Sequence, residues 1–161
     1  MEEIILEDKQ AMIFLNNLGS STFDPFWILV SEKWFWIPLY VIFLYFLYKN
    51  FNKKSLFYIL LFVALGITAS DQVANIFKFG FERLRPCHDP SLEGLLREVK
   101  CGGKFGFYSA HSSNSFFVAT YLTILLGKKI KQLSYFLFVW AAIVAYSRVY
   151  LGMHFPGDII I

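Results

Sequence analysis

Four stretches of this chain run for fifteen residues or more without an Asp, Glu, Lys or Arg, and they constrain the fold more than any other feature. Lipid offers no partner to a backbone N–H or C=O, so an apolar run that enters it must be helical, and ~20 residues suffice to cross. The runs predict spans at about 34–48, 55–78, 109–126 and 133–147, with a further one beginning at about 156. Hydrophobic residues make up 57% of the chain and charged residues 17%, against about a quarter charged in soluble domains. The 19 Phe, 9 Tyr and 4 Trp suit interface belts and lipid-facing surfaces. The expected fold is all-α: a polytopic membrane helix bundle with an N-terminal interfacial amphipathic helix, forming one domain over residues 1–161.

Residues 1–33 read as the interfacial region. Residues 4–18 are too polar to cross a bilayer, but the spacing of Leu6 with Ile13, and of Ala11, Leu15 and Leu18, allows an apolar stripe ending near Gly19. Such a helix lies either in the membrane interface or on the protein's own surface. Asp24-Pro25 reads as a helix start, Trp34-Phe35-Trp36 as an interfacial belt, and Pro38 falls in a first turn, where a missing amide costs least. Met1-Glu2-Glu3 lacks the basic segment of a secretory signal. The chain stops at Ile161, one turn into its last apolar segment, so roughly 20 further residues are expected; a chain cut there is expected to be inactive or poorly folded.

Lys49, Lys53, Lys54, Lys128, Lys129 and Lys131 occupy the two short turns on one side of the bundle, which the positive-inside rule makes cytoplasmic. The loop 87–108 and the stretch 147–158 then face outward. Cys87 and Cys101 share that outer loop. A disulfide there would contribute ~3 kcal/mol in an oxidising compartment, with two free thiols as the alternative. The net charge of +3 is scattered over hydrophilic breaks, without the basic stripe that nucleic acid requires.

Three polar clusters return to the outer side. In the second span Asp71, Asn75 and Lys78 are spaced four and three apart and share a helical face; Arg83 and Arg85-Pro86 follow. Cations gathered in this way need an anion, and a phosphate suits them, although a lone cation could instead snorkel to lipid headgroups. Ser109-Ala110-His111 opens the third span, where first-turn amides bind anions and Ser109 can cap. Arg148 closes the fourth span. His154 and Asp158 are four apart across Phe155-Pro156-Gly157, so the carboxylate can take the proton of one imidazole nitrogen and leave the other bare. The blander alternatives are a serine-rich cap, a local Asp–His bond and a structural Asp71–Lys78 pair. Against them stands the agreement of topology with chemistry.

Lys78 with six residues before Arg85-Pro86, then Ser109-Ala110-His111, then Ser147-Arg148 with five residues before His154 and three before Asp158, resembles the type 2 phosphatidic acid phosphatase superfamily, in its bacterial integral-membrane branch. The resemblance covers about 78–158. The middle block departs from the family's usual Pro-Ser-Gly-His in having Tyr108 and Ala110, which keeps the amide and adds a methyl. The resemblance implies that His154 attacks phosphorus and forms a phosphohistidine, with Asp158 orienting it. It implies that His111 protonates the leaving oxygen and later activates water, so that the rate falls at alkaline pH. Lys78, Arg85, Arg148, Ser109 and the Ala110 amide would hold the nonbridging oxygens, with Asp71, Asn75 and Arg83 in support. Cations already in place can stabilise this charge, so no metal or other cofactor is expected, and the chain offers no compact ligand set of metal spacing.

Family analogy puts undecaprenyl diphosphate or a lipid A phosphate first as substrate, then phosphatidylglycerophosphate or diacylglycerol pyrophosphate, in the bacterial cytoplasmic membrane with the site facing outward. The bilayer and its lipid phosphates are the expected partners; nothing in the residues speaks to oligomeric state. A small transporter would need ionisable groups at midplane on several helices, where only Asp71 approaches that depth. A noncatalytic lipid-binding protein would need neither His111 nor the His154–Asp158 pair.

Overall fold

A computed structural model describes residues 2–160 of the chain. Met1 and Ile161, the two ends of the expected domain, lie outside the described residues. Apart from a single antiparallel bridge between Leu84 and Phe105, the regular structure described is helical. The helices are α1 (Glu2–Asn17), α2 (Asp24–Ser31), α3 (Ile37–Asn50), α4 (Lys53–Phe81), α5 (Ala110–Leu126), α6 (Leu133–Tyr150) and α7 (Pro156–Ile160).

The ends of these helices follow from local chemistry. Pro25 and Pro38 sit in the first turns of α2 and α3, where no intrahelical amide is lost. The Asn52 side chain accepts from the Ser55 amide at 2.8 Å, so α4 starts two residues before the expected span; it runs on to Phe81 and stops at Glu82 in the left-handed region. Ser109 caps α5 through the Ser112 amide. The helix of the fourth expected span, α6, continues past residue 147 to Tyr150, and Arg148 lies in its last turn.

Two helices, α4 and α6, are long and apolar enough to cross a membrane, and α2 with the segment Lys33–Asn50 forms a third such unit bent by 74°. Buried residues make up 56% of the most apolar window of α6 but 6% of that of α4. Thus α6 is the central helix, and α4 shows its apolar side outward. Phe57, Leu65 and Ile76 of α4 are more than half exposed, as are Val41 of α3 and Ile124 of α5. In water such a surface would be an aggregation site; in lipid it needs no cover.

The main core joins Leu122 and Leu126 of α5 to Leu133, Leu137, Trp140 and Ala141 of α6, with Phe43 and Leu47 of α3 and Ile59 of α4 closing the side. Smaller clusters bind the first two helices to the end of α6. Met12 packs with Leu92, Val149 and Phe155, and Trp27 stacks on Tyr150 at 5.1 Å between ring centres. Met12 and Asn16 of α1 are buried against the protein, while Ile4 and Phe14, with Leu18 just after the helix, are exposed. Asn16 works as a clip. Its Nδ2 donates to the Tyr150 carbonyl at 2.8 Å, one of the orphan carbonyls at the end of α6, and its Oδ1 accepts from the Arg97 amide at 2.7 Å.

Candidate active site

Five helices, α2 to α6, contribute to the wall of a cavity of about 640 Å³ whose lining changes character along its length. Phe43, Leu47, Leu60, Val63, Leu122 and Val144 make one part apolar. Lys78, Arg85, Ala110, His111, Arg148 and His154 make the other part polar, and Asp71 and Asn75 also line it. A second cleft of about 520 Å³ shares Ser31, Lys33, Tyr40, His111 and Arg148 with the first and adds Glu32, Trp34, Lys100 and Met153. Residues from four separate stretches of sequence therefore meet at the ends of α4, α5 and α6.

Tight turns produce that meeting. Gly152 takes a φ of +83°, which glycine adopts without the clash a side chain would meet. The chain reverses there so that the amides of Met153 and His154 both donate to the Arg148 carbonyl. Asp158 then enters in the first turn of α7, and its carbonyl accepts from the Ser109 amide at 2.9 Å, joining the starts of α5 and α7. Ser112 Oγ donates to the Ile159 carbonyl at 3.0 Å and repeats the tie.

His154 is buried among these groups. Arg85 Nη1 lies 3.3 Å from its Nε2. A guanidinium can only donate, so Nε2 is the acceptor and keeps its lone pair. The ring proton is then on Nδ1, which faces Asp158 Oδ2 at 3.5 Å and has no hydrogen-bond partner of ordinary length among the described residues. Such bonds are often long in an empty site and tighten as charge develops. Burial pushes the His154 pKa down to about 4, with Arg85 and Arg148 adding to the effect and Asp158 opposing it. At neutral pH the imidazole is then uncharged, with Nε2 unprotonated and accepting from Arg85, and the residue lines the cavity.

Arg148 is also buried; Nη1 donates to Ser31 Oγ, and its Nε has no partner among the described residues. A desolvated guanidinium with an unused donor is suited to an incoming anion. Arg85 donates from Nε to the Phe105 carbonyl at 3.1 Å and from Nη1 to Met153 O at 3.2 Å, which fixes its plane. Lys78 and His111 line the cavity without an ion pair or side-chain hydrogen bond among the described residues. Asp71 accepts from Asn114 Nδ2 at 2.9 Å, so its bond runs to α5 rather than along its own helix to Lys78.

Three expected residues stand behind the cavity rather than in its lining. Ser109 is fully buried as the α5 cap, and Asp158 lies beneath His154. Arg83 is turned away from the cations it follows in sequence, held between Asp158 at 2.6 Å and Asp8 at 2.5 Å. Sequence reasoning missed Asp8, Ser31 and Lys33. Ser31-Glu32-Lys33 reads as a polar break, and only the 74° bend places Ser31 on Arg148.

The outer loop is closed by a disulfide between Cys87 and Cys101, with 5.9 Å between their Cα atoms. Those sulfurs and His88 form the one group of potential metal ligands found close together among the described residues. Disulfide sulfurs are not thiolates, so the group does not make a metal site.

A helical bundle with lipid-suited faces and a buried cationic pocket around an oriented imidazole defines a membrane protein that handles anions. Residues 59–161 match the PAP2 superfamily. The chain is 38% identical over 157 residues to a lipid A 4′-phosphatase of Bacteroides thetaiotaomicron, covering 95% of this chain and 69% of that one. It is 36% identical over 166 residues to a lipid A 4′-phosphatase of Porphyromonas gingivalis, covering 99% and 68%. In fold it is similar to a transmembrane PAP2-type phosphatidylglycerolphosphate phosphatase from Bacillus subtilis, with a TM-score of 0.74 and 22% identity, over 99% of this chain and 79% of that one. The chain belongs to the PAP2 superfamily, and it is a phosphatase of a bacterial membrane.

Proposed function

We infer that this enzyme removes a phosphate from lipid A at the outer face of the cytoplasmic membrane, without a metal, through a phosphohistidine on His154. The observation that carries the reading is the two-part cavity, in which cations and two histidines crowd one end and an apolar channel between α3, α4, α5 and α6 continues from it. A phosphate would sit among Lys78, Arg85, Arg148 and the Ala110 amide, and acyl chains would lie along the apolar part. Similarity to two proteins named lipid A 4′-phosphatases is the reason to put lipid A ahead of undecaprenyl diphosphate, phosphatidylglycerophosphate and diacylglycerol pyrophosphate here. The basic turns at Lys49–Lys54 and Lys128–Lys131 lie at the opposite helix ends from this pocket and support several crossings with the site outward.

In the first step the His154 Nε2 lone pair attacks phosphorus and the bond to the sugar oxygen breaks, that oxygen taking a proton from His111. The Nδ1–H faces Asp158, which stabilises the positive ring as the new P–N bond forms. In the second step His111 takes a proton from water, the oxygen attacks phosphorus, and the P–N bond breaks to release inorganic phosphate and free His154. Cations supply charge stabilisation at the equatorial oxygens throughout. Phosphate release from lipid A, undecaprenyl diphosphate and phosphatidylglycerophosphate, measured with the full-length protein in detergent, tests the substrate. Turnover of lipid A at the highest kcat/KM is expected; faster turnover of either other lipid would replace it. No phosphate release from any of them would favour a transporter or lipid-binding protein.

A further inference from the structure

Asp8 is a helix away from the cavity, yet its carboxylate closes on the back of the His154–Asp158 pair. Its Oδ1 accepts from the Gly157 amide at 2.7 Å, in the first turn of α7, and its Oδ2 accepts from Arg83 Nη2 at 2.5 Å. Arg83 gives its other arm to Asp158 Oδ1 at 2.6 Å, and its guanidinium lies 4.3 Å over the Phe155 ring. A Cβ at position 157 would come within 2.8 Å of Asp8 Oδ2, so a glycine there leaves the carboxylate room to reach the amide.

We propose that Asp8 is a positioning residue for phosphoryl transfer, acting through Arg83 and the Gly157 amide to hold Asp158 against His154. The proposal rests on reading His154 as the nucleophile and Asp158 as its orienting carboxylate. Asp158 has two oxygens to distribute. Arg83 takes Oδ1, which leaves Oδ2 for the Phe155 amide at 3.0 Å and for His154 Nδ1. A guanidinium prefers to grip one carboxylate with both arms. Asp8 holds the second arm and so keeps Oδ2 free for the imidazole. Charge acts in the same direction: two carboxylates around one guanidinium leave a net negative charge behind the ring that becomes positive during attack.

The docking of α1 has other anchors. Lys9 pairs with Asp89 at 2.7 Å and donates to Ser91 at 2.8 Å, Asn16 clips the end of α6, and Met12 is fully buried. These contacts allow a test that separates positioning from docking. Phosphate release from lipid A micelles would be followed with the full-length protein and its variants D8N, D8E, K9Q, D158N, H154A and the D8N/D158N double variant. D8N is expected to lower kcat roughly 10- to 100-fold, the range that outer partners of metal-bound histidines show, with KM within about twofold. D8E restores part of that loss. K9Q loosens the same helix without touching Arg83 or Gly157 and keeps the wild-type kcat. In the D158N background D8N costs less than about threefold further, because its effect passes through Asp158. Should D8N fail to fold, Arg83→Lys, whose single amine cannot span both carboxylates, takes its place with the same expected kcat loss. Wild-type kcat in D8N, equal losses in D8N and K9Q, or multiplicative losses in the double variant would each overturn the proposal while leaving the nucleophile reading intact. Full turnover by H154A would overturn both.

Discussion

The two ends of the α5–α6 pair are built from opposite materials. At the end near residues 126–133, Leu126, Leu133, Leu137 and Leu122 meet Phe43, Leu47 and Ile59, and the lysine-bearing turn beyond them makes an exposed bond from Lys129 to the Asn50 carbonyl at 3.3 Å. At the other end Ser109, Arg85, Arg148, His154 and Asp158 are buried. Their bonds join positions far apart in sequence, as from Arg148 to Ser31 and from Arg83 to Asp158. Apolar packing is nondirectional and tolerates changes that conserve volume. A buried polar network is not forgiving, because removing one member strands its partner without water. In the proposed mechanism the polar end carries the chemistry, and the apolar end carries the fold that aims it.

Substitutions at the two ends should separate turnover from stability. His154→Ala should lower kcat per folded molecule at least ~1,000-fold, the loss expected on removing the proposed attacking atom. Comparable turnover after the change would remove the reason for contrasting the two ends. Arg148→Lys keeps the charge but loses the fork that reaches Ser31 and an anion together, so kcat/KM should fall about a hundredfold. The His154 ring, followed by NMR in detergent, should take up its proton near pH 4, well below the ordinary 6.5; because the depressed value belongs to the folded state, the ring is neutral above it and protonates only as pH falls through it. A midpoint near 6.5 would mean that the polar end is wet. Leu137→Ala at the apolar end should cost ~2 kcal/mol or more of stability, read from unfolding in detergent, and change kcat of the folded fraction less than twofold.

How much of this was legible in the sequence depended on distance. Uncharged runs marked the helices, because a lipid-facing surface leaves a composition that no arrangement of neighbours disguises. Lys78, His111, Arg148 and His154 could be assigned to one side by counting crossings, and all four border one cavity. Helix ends were less legible. Asn52 lengthens α4 by a cap that resembles an ordinary polar break, and α6 continues through Arg148 because apolar and polar residues alternate around its last turn. Contacts made by the first thirty-one residues were not legible. Asp8 meets Gly157 across 149 positions and Ser31 meets Arg148 across 117. No periodicity links such pairs; they exist because α1 folds back over α7 and because α2 bends away from α3. Arg83 shows the same limit, since its neighbours in sequence suggested an anion while its neighbours in space are two carboxylates.

We propose that the His154 imidazole, unprotonated at Nε2 and set among Lys78, Arg85 and Arg148, takes phosphate covalently. Quenching the full-length enzyme during turnover of lipid A, holding the digest at alkaline pH where phosphohistidine survives, and locating phosphate by mass spectrometry tests it directly. Phosphate on the peptide bearing His154, absent from His154→Ala, is the expected result. Phosphate on another residue, or rapid turnover with none on His154 at any time point, would contradict it.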